Sequence, residues 1–293
     1  MTQRVQPGIL APVPSHARYL TFALEAGSDP REALDELRSI ADGDEIVVGL
    51  GQGLILSVGA TLDGLHPFPA HVGAGFEIPS TPAALWCWLR GEERGELVHR
   101  SRRVQRALSS SFRPTQVLDA FRHGTGDDLT GYEDGTENPE GEKAVEAAIV
   151  GGRGDALDGS SFVAVQQWVH DLERFDAMPA EEQDHTIGRR RSDNEEIEEA
   201  PPSAHVKRTA QEEFDPEAFV LRRSMPWADD SWEGLVFVSF GKSVDAFEAL
   251  LNRMVGIDDG VTDALFRFTR PVTGCYFWCP PLKDGRLNLD ALG

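Results

Sequence analysis

The stretch Gly131-Tyr132-Glu133-Asp134-Gly135-Thr136-Glu137-Asn138-Pro139 carries more information about this chain than any other part of it. Taken alone, Asp134-Gly135 is a turn dipeptide, and the surrounding acids and proline are typical of an exposed loop. The glycines at 131 and 135 allow a second interpretation, because each permits positive φ or close backbone approach. The main chain would then press on a flat ligand while Asp134 projects beside it. An EF-hand calcium loop is excluded, because Gly135 at its sixth position puts Thr130 where the first acidic ligand belongs.

Two later segments carry the other chemical candidates, Ser203-Ala204-His205-Val206-Lys207-Arg208 and Leu221-Arg222-Arg223-Ser224-Met225-Pro226. A lone histidine is more often structural than a ligand, so His205 alone does not indicate a site. Arg222 falls in a predicted strand, where an inward-pointing arginine must meet an acid or a ligand. His66 and His71 do not complete a recognisable metal-ligand spacing. The three main candidates therefore gain meaning only as a set.

Composition bounds the class of protein. The chain has 293 residues, which exceeds the usual size of one core, so two domains are expected. Its net charge is −21, from 28 Lys and Arg against 49 Asp and Glu, which disfavours binding to nucleic acid. No apolar run approaches the length that crosses a bilayer, so no membrane contact is expected. The first eight residues contain neither an apolar signal core nor a twin-arginine pair, which predicts a cytoplasmic protein.

The cysteines and the long acidic loop have structural interpretations. Cys87, Cys275 and Cys279 include no CxxC pair, so they support neither a disulfide framework nor a zinc ribbon, and we expect core packing. The irregular stretch from 188 to 214 contains a run of acids, and such runs are typical of a solvated loop. Long loops in compact domains are otherwise functional, and His205 lies at the end of this one.

Hydrophobic periodicity predicts mixed secondary structure. The predicted strands are 18–24, 46–50, 54–58, 84–89, 116–121, 161–169, 219–223, 235–240 and 275–279, and the predicted helices are 30–41, 95–108, 178–185 and 244–255. The order is β-α-β-β-α-β with one extra strand in the first half, and a similar order recurs in the second. We therefore expect an α+β protein of two consecutive ferredoxin-like domains, each an antiparallel sheet covered by helices. The predicted domains are residues 1–145, ending with the loop around Asp134, and 146–293.

The three segments together resemble the dye-decolourising peroxidase family. Gly131 to Gly135 matches that family's GxxDG motif, His205 falls where the family has its proximal haem ligand, and Arg222 falls at its distal arginine. The segments 186–189 and 268–274 support the resemblance, which spans nearly the whole chain. Ser224 stands where several members carry asparagine, and is similar to the branch proposed to act on porphyrins.

The resemblance implies one haem b per chain, held between the sheet and the helices of the C-terminal domain. It implies that His205 binds the haem iron and that Gly131 and Gly135 shape the loop against the cofactor. The other ring nitrogen of His205 should donate to an acid, for which Asp263 is the candidate, although a helix-start residue is an equal alternative. Arg208 is predicted to pair with a haem propionate, with an exposed basic residue as the alternative.

The resemblance further implies a peroxidase that reduces hydrogen peroxide and oxidises organic donors, such as dyes, phenolics or porphyrinogens, by one-electron steps. Asp134 would move the peroxide proton, Arg222 would stabilise the developing charge, and Ser224 would support a distal water. A carboxylate base stays ionised in mildly acidic solution, which predicts an acidic optimum. Porphyrin handling, by porphyrinogen oxidation or iron release from haem, and a non-catalytic haem carrier or sensor stay open as alternatives.

Assembly and electron relay complete the expectations. The resemblance implies a homo-oligomer, and some relatives travel in nanocompartments by a C-terminal tag, of which the segment 288–293 shows no sign. Trp168, Trp227, Trp232 and Tyr132 are candidate relays between the cofactor and surface donors, although aromatic packing is the more common role.

Overall fold

A computed structural model describes residues 4–73 and 75–293, so the first three residues of the N-terminal segment considered above lie outside it. In this part of the chain the strands are β1 (His16–Leu24), β2 (Ile46–Leu50), β3 (His71–Gly73), β4 (Phe76–Ile78), β5 (Leu85–Gly91), β6 (Phe112–Phe121), β7 (Ser161–His170), β8 (Leu221–Arg222), β9 (Met225–Ala228), β10 (Glu233–Gly241), β11 (Thr269–Pro271), β12 (Cys275–Cys279), β13 (Leu282–Lys283) and β14 (Arg286–Leu287). The α-helices are α1 (Pro7–Leu10), α2 (Arg31–Ile40), α3 (Gln52–Ser57), α4 (Arg94–Leu108), α5 (Gly141–Ala148), α6 (Leu172–Asp176), α7 (Ala180–Ile187), α8 (His205–Arg208) and α9 (Asp245–Met254).

The central sheet has the strand order β6-β1-β5-β2-β12-β7-β10-β8. In each half the strands lie in the order fourth, first, third, second, with antiparallel neighbours, which is the ferredoxin-like arrangement. The α+β class and the two ferredoxin-like units are therefore confirmed. The halves do not form separate sheets, however, because Trp278 of β12 pairs with Leu50 of β2 and makes the sheet continuous.

Helices cover the sheet because each presents one apolar stripe to it. In α2 the buried residues are Ala33, Leu34 and Leu37, at the spacing of a single helix face. In α9, Phe247, Leu250, Leu251 and Met254 play the same part in the second half. The two sheet faces carry separate apolar clusters, and α2, α4 and α9 all pack into one of them. The three cysteines are buried and unpaired, as expected.

The predicted strand 54–58 is wrong, because helix α3 covers residues 52–57. Leu54 and Ile55 are adjacent and both buried, but so are adjacent residues of strand β2, so burial alone does not distinguish helix from strand here. Gly51 starts the turn, and its carbonyl accepts from the N–H groups of Leu54 and Ile55. A Cβ on Gly51 would lie 1.9 Å from the carbonyl oxygen of Ala83, so only glycine fits there.

The predicted helix 178–185 corresponds to α7, which begins two residues later, after Pro179, and ends at Ile187. The short helix α6 before it was not predicted. Asp171 caps α6 by accepting from the N–H of Arg174 at 3.0 Å, and Pro179 precedes the first residue of α7. The predicted strand 219–223 is reduced to Leu221–Arg222. Between α7 and β8 the chain is largely irregular, and the short helix α8 begins there at His205. In the described ranges no helix is long and apolar enough to cross a membrane.

The predicted boundary between residues 145 and 146 falls inside helix α5. This helix packs against β8 and β10 of the second half, and Ala144 and Ala148 belong to the same apolar cluster as Leu221 and Phe240. The loop around Asp134 thus connects the last strand of the first half to a helix that packs on the second. It is placed to reach a site in the second half.

Candidate active site

A cavity of about 1050 Å³ lies in the second half, between the sheet and helix α9. Its apolar wall comes from β7, β10, α9 and neighbouring segments, and consists of Trp168, Leu235, Phe237, Phe247, Leu250, Leu251, Met254, Val220, Ile187, Leu265 and Phe268. Its polar wall includes His205, Asp134 and Arg222, which the sequence placed on three distant segments. A concave, mostly apolar space with a few convergent polar groups is the usual form of a cofactor site.

The loop of the GxxDG motif brings Asp134 to the cavity. Gly131 and Gly135 have φ of +80° and +86°, the left-handed region that glycine adopts without strain. The N–H of Asp134 donates to the carbonyl of Gly126 at 3.2 Å, which closes the loop. Gly131 is not part of the cavity wall, and Gly135 lines only a second, neighbouring cavity. The two glycines therefore shape the turn that presents Asp134. Neither lines the main cavity, so the expected contact of these glycines with the cofactor is not seen there.

Arg222 reaches the cavity from the short strand β8, which pairs with β10 at Ser239. Its backbone is fixed by Asn138, whose Oδ1 accepts from the Arg222 N–H at 2.8 Å and whose Nδ2 donates to the Arg222 carbonyl at 3.1 Å. The Nη1 atom of Arg222 lies 3.6 Å from Oδ1 of Asp134, and both side chains are largely buried. An acid and a guanidinium thus form a close pair at one side of the cavity.

His205 and Asp263 form the second polar group of the cavity wall. Nδ1 of His205 lies 2.7 Å from Oδ2 of Asp263, a carboxylate whose side chain is fully buried. The other oxygen of Asp263 accepts from the N–H of Leu265 at 2.8 Å, at the start of a 3-10 turn. Asp263 therefore both accepts a hydrogen bond from His205 and caps the start of a helical turn, the two alternatives that the sequence left open. With Nδ1–H donated to the carboxylate, the lone pair of His205 is on Nε2, the state in which histidine binds a metal.

Arg208 lies outside the cavity wall. Its guanidinium donates to both carboxylate oxygens of Asp259, at 2.7 and 2.8 Å, and its Nε donates to the carbonyl of Arg253 at 3.2 Å. These hydrogen bonds from Arg208 lower the pKa of Asp259. The side chain is buried rather than an exposed basic residue, and its donors are already used within the protein.

Ser224 also lies outside the main cavity. Its Oγ accepts from the N–H of Val238 at 3.4 Å, and it lines the second cavity, of about 1210 Å³. Asp134 and Arg222 line both cavities, so this pair stands between Ser224 and the space next to His205.

A buried histidine in the cavity wall was not predicted. Nδ1 of His170 lies 2.6 Å from Oγ1 of Thr269, and Nε2 lies 3.1 Å from Oδ1 of Asp128. The hydroxyl of Thr269 also lies 3.1 Å from the carbonyl oxygen of Val169. Both ring nitrogens of His170 therefore have hydrogen-bond partners within the wall. The signal was present, because Gln166, Trp168 and His170 alternate along β7 and all line the cavity.

Asp128 is the acid that contacts His170. Burial acts to raise its pKa, but the hydrogen bond and charge of His170, with two hydrogen bonds from Thr130, outweigh burial and hold the pKa of Asp128 below its ordinary value. The carboxylate of Asp128 is thereby stabilised in the cavity wall.

The candidate relay residues differ in exposure. Tyr132, Trp168 and Trp227 are buried, whereas Trp232 is 52% exposed with the guanidinium of Arg270 over its ring. Tyr132 lines the main cavity and its hydroxyl donates to Asp184 at 2.5 Å. Burial and this hydrogen bond raise the pKa of Tyr132 well above its usual range.

Comparisons with known proteins identify the family of the chain. The family model described as Dyp-type peroxidase, C-terminal, matches residues 125–284, more than half of the chain. A dye-decolorizing peroxidase of Rhodococcus erythropolis is 29% identical over 93% of this chain and 85% of its own length. A dye-decolorizing peroxidase of Mycobacterium tuberculosis is 28% identical over 94% of this chain and 88% of its own length.

Solved structures show the same likeness. A dye-decolorizing protein from V. cholerae superposes with a TM-score of 0.85 at 27% identity, over 93% of this chain and 96% of its own. A DypB variant from Rhodococcus jostii in complex with haem superposes with a TM-score of 0.86 at 26% identity, over 93% of this chain and 95% of its own. The chain therefore belongs to the Dyp-type peroxidase family.

Proposed function

We propose that this Dyp-type peroxidase binds haem b through His205 and acts on hydrogen peroxide with Asp134 and Arg222. The observation that carries the proposal is their convergence. One cavity is lined by a histidine whose Nδ1 is held by a buried carboxylate, and by an acid–guanidinium pair 3.6 Å apart. The related structure from Rhodococcus jostii is a complex with haem, which supports the same cofactor here.

The residues of the cavity fit this cofactor. Asp263 leaves Nε2 of His205 as the metal-binding nitrogen, and makes the imidazole a stronger donor to iron. The apolar wall of leucines, phenylalanines and Trp168 suits a flat hydrophobic macrocycle. The chemistry that bound haem supplies is redox: two electrons reduce hydrogen peroxide, and they are recovered one at a time from an organic donor.

Asp134 is the proton carrier of the proposal. As a carboxylate it takes the proton from one peroxide oxygen and returns it to the other, which leaves as water. Arg222 orients the peroxide and stabilises the negative charge that develops as the O–O bond breaks, a role suited to a cation that does not deprotonate. The ion pair between them holds both side chains in reach of the same small substrate.

Three earlier expectations are revised in this proposal. Arg208 is not assigned to a propionate, because Asp259 already accepts from its guanidinium. Ser224 is assigned to the neighbouring cavity, where it can hold a water behind the pair, and its position gives no support to the porphyrin-handling alternative. Two domains are proposed to divide at the start of α5, not at residue 145, because α5 packs on the second half. A homo-oligomer is proposed on the family resemblance alone.

The test is an absorption spectrum of the purified protein with and without peroxide, followed by turnover of a dye. A Soret band that changes on adding peroxide, with dye oxidation, is expected. In the double variant Asp134→Asn/Arg222→Leu the haem content should persist while the peroxide step slows by about a hundredfold or more. The matched control is Ser224→Ala, which leaves the cavity wall intact. Haem uptake without dye turnover in the wild type would instead identify a carrier or sensor.

His205→Ala examines the ligand separately. The variant should lose stoichiometric haem, and a complex with an unchanged spectrum would remove His205 from the proposal. His185→Ala is the control, since His185 lies on α7 outside the cavity wall.

A further inference from the structure

Arg223 is a mostly buried cation without an acidic partner. Its Nη1 donates to the carbonyl of Arg222 at 3.0 Å and its Nη2 to the carbonyl of Leu10 at 2.8 Å. Its Nε is buried and makes no hydrogen bond to any described residue. In residues 4–73 and 75–293 no carboxylate lies within ion-pair distance of this guanidinium. Buried charges are ordinarily paired, so this one calls for a partner.

A second buried arginine lies near the first, because the two donate to carbonyls only two residues apart. Arg90 is 8% exposed and donates to the carbonyl of Pro12, whereas Arg223 donates to that of Leu10. Arg90 also donates to the carbonyl and a carboxylate oxygen of Asp44, and its Nε is buried and unpaired within the described chain. Burial, with the positive charge of Arg90, lowers the pKa of Arg223 to about 10, so Arg223 still carries its charge at neutral pH.

Tyr19 adds a third donor to the same region. It is 3% exposed, its hydroxyl has no partner among the described residues, and the charge of Arg90 acts on its pKa. The ring is stacked at 6.2 Å from Trp88, and the guanidinium of Arg90 lies over that same indole at 4.9 Å. Two Nε–H groups and one phenolic O–H are thus all buried without an acceptor.

The region has a route to solvent. Arg223 lines the second cavity together with Leu10 and Pro12, whose carbonyls accept from Arg223 and Arg90. Asp127, Asp134 and Glu140 also line this cavity, but none of them is within ion-pair distance of Arg223 or Arg90, and Asp134 pairs with Arg222 instead. A solute that enters the cavity therefore reaches Arg223 before it reaches the packed core.

We propose that Arg223, Arg90 and Tyr19 form a buried site for a small monovalent anion of the size of chloride, entered through the second cavity. An anion accepts from all three donors and reduces the repulsion between the two cations, whereas a water molecule supplies no charge. The site must be small, because Arg90 and Tyr19 belong to the packed core. It lies next to Arg222 along the chain, yet the peroxide reaction proposed above does not use it.

The first test is thermal unfolding of the holoenzyme at constant ionic strength, with sodium chloride exchanged stepwise for sodium gluconate. Gluconate is too large for the site but screens surface charges equally, so general salt effects cancel. A ligand that binds only the folded state raises Tm with its concentration, so we expect Tm to rise with chloride. Crystals grown in bromide should show an anomalous peak between Arg223 and Arg90.

Variants locate the effect. In Arg223→Gln the chloride-dependent rise in Tm should disappear. In Tyr19→Phe the chloride concentration that gives half of the rise should increase by about tenfold or more, because the variant loses one hydrogen bond to the ion. Arg122→Gln is the control, because Arg122 lines the same cavity and should leave the response unchanged. Equal Tm in the two salts, an equal response in Tyr19→Phe, or a water without anomalous signal at the site would each overturn the proposal.

Discussion

The side-chain amide of Asn138 holds Arg222 by both polar groups of its backbone, accepting from the N–H at 2.8 Å and donating to the carbonyl at 3.1 Å. Asn138 lies four residues after Asp134 in the same loop, and it also sits within 2.7 Å of where a Cβ on Gly135 would lie. The loop and strand β8 are therefore tied together at the point where the acid and the guanidinium meet. The separation of Asp134 and Arg222 depends on a residue that touches neither functional group.

Asn138→Ala should slow the peroxide step by about ten- to a hundredfold without loss of haem, because small displacements of catalytic groups are costly. Rapid mixing with peroxide measures the step, and haem content is read from the same sample. Asn252→Ala is the control, since Asn252 lies on α9 outside the cavity wall. Unaltered rapid-mixing kinetics in Asn138→Ala would mean that β8 alone fixes Arg222.

Asp263→Asn should lower haem affinity or activity by about ten- to a hundredfold, as is usual when a partner of a metal-bound histidine is changed. The reduction potential of bound haem should become more positive, because a neutral amide no longer strengthens His205 as a donor. Spectroelectrochemistry provides the measurement. Asp259→Asn is the control, because it removes the same charge from a carboxylate that binds Arg208 and not His205. The reduction potential of haem in this variant should stay at the wild-type value. The same shift in both variants would point to net charge, not to the hydrogen bond on His205.

Arg208→Gln should cost about 2 kcal/mol of unfolding free energy, the range for hydrogen bonds to a charged group, and leave haem affinity unchanged. Denaturant unfolding and haem titration measure the two quantities. Lys207→Gln, which removes the neighbouring cation paired with Glu196, is the control. A fall in haem affinity at unchanged stability would restore Arg208 as a propionate partner.

Asp128→Asn should destabilise the protein in a pH-dependent manner. The folded-state pKa of Asp128 is lowered, so its contribution to stability is complete above the unfolded pKa and is lost as pH falls through the folded value. At neutral pH the variant should lose about 3 kcal/mol of unfolding free energy, because His170 stays buried without its carboxylate partner. The difference between wild type and variant should shrink below about pH 4. Urea unfolding at a series of pH values checks this, and a difference that is constant with pH would contradict an ionised Asp128.

The sequence predicted secondary structure best in long segments. The strand 161–169 and the helix 244–255 were predicted within one residue at each end, because each shows one clear period over ten residues. The prediction for the segment 54–58 was wrong, since the run of three apolar residues at 54–56 satisfies strand and helix equally, and the close approach of Gly51 to Ala83 is not visible in the local sequence. The boundary at 145 stays a prediction; helix α5 crosses it and packs on β8 and β10, a tertiary contact that composition does not reveal.

The sequence predicted the main residues of the site but not the hydrogen bonds that hold them in place. Asp134, His205 and Arg222 were found by resemblance, and their convergence on one cavity agrees with it. Asn138 and Arg222 are 84 residues apart in sequence, and Asp128 and His170 are 42 apart, so no local pattern links them. Asp263 was a candidate only because a metal-bound histidine needs a partner for its other nitrogen.

The position of β12 has a consequence for biosynthesis. This strand lies between β2 and β7, so the edge of the first half that faces the second has no neighbour until residues 275–279 have left the ribosome. The nascent first half must wait with that edge unpaired until nearly all of the second half has been made. Truncation before residue 275 would therefore expose the edge permanently, and exposed strand edges recruit other chains.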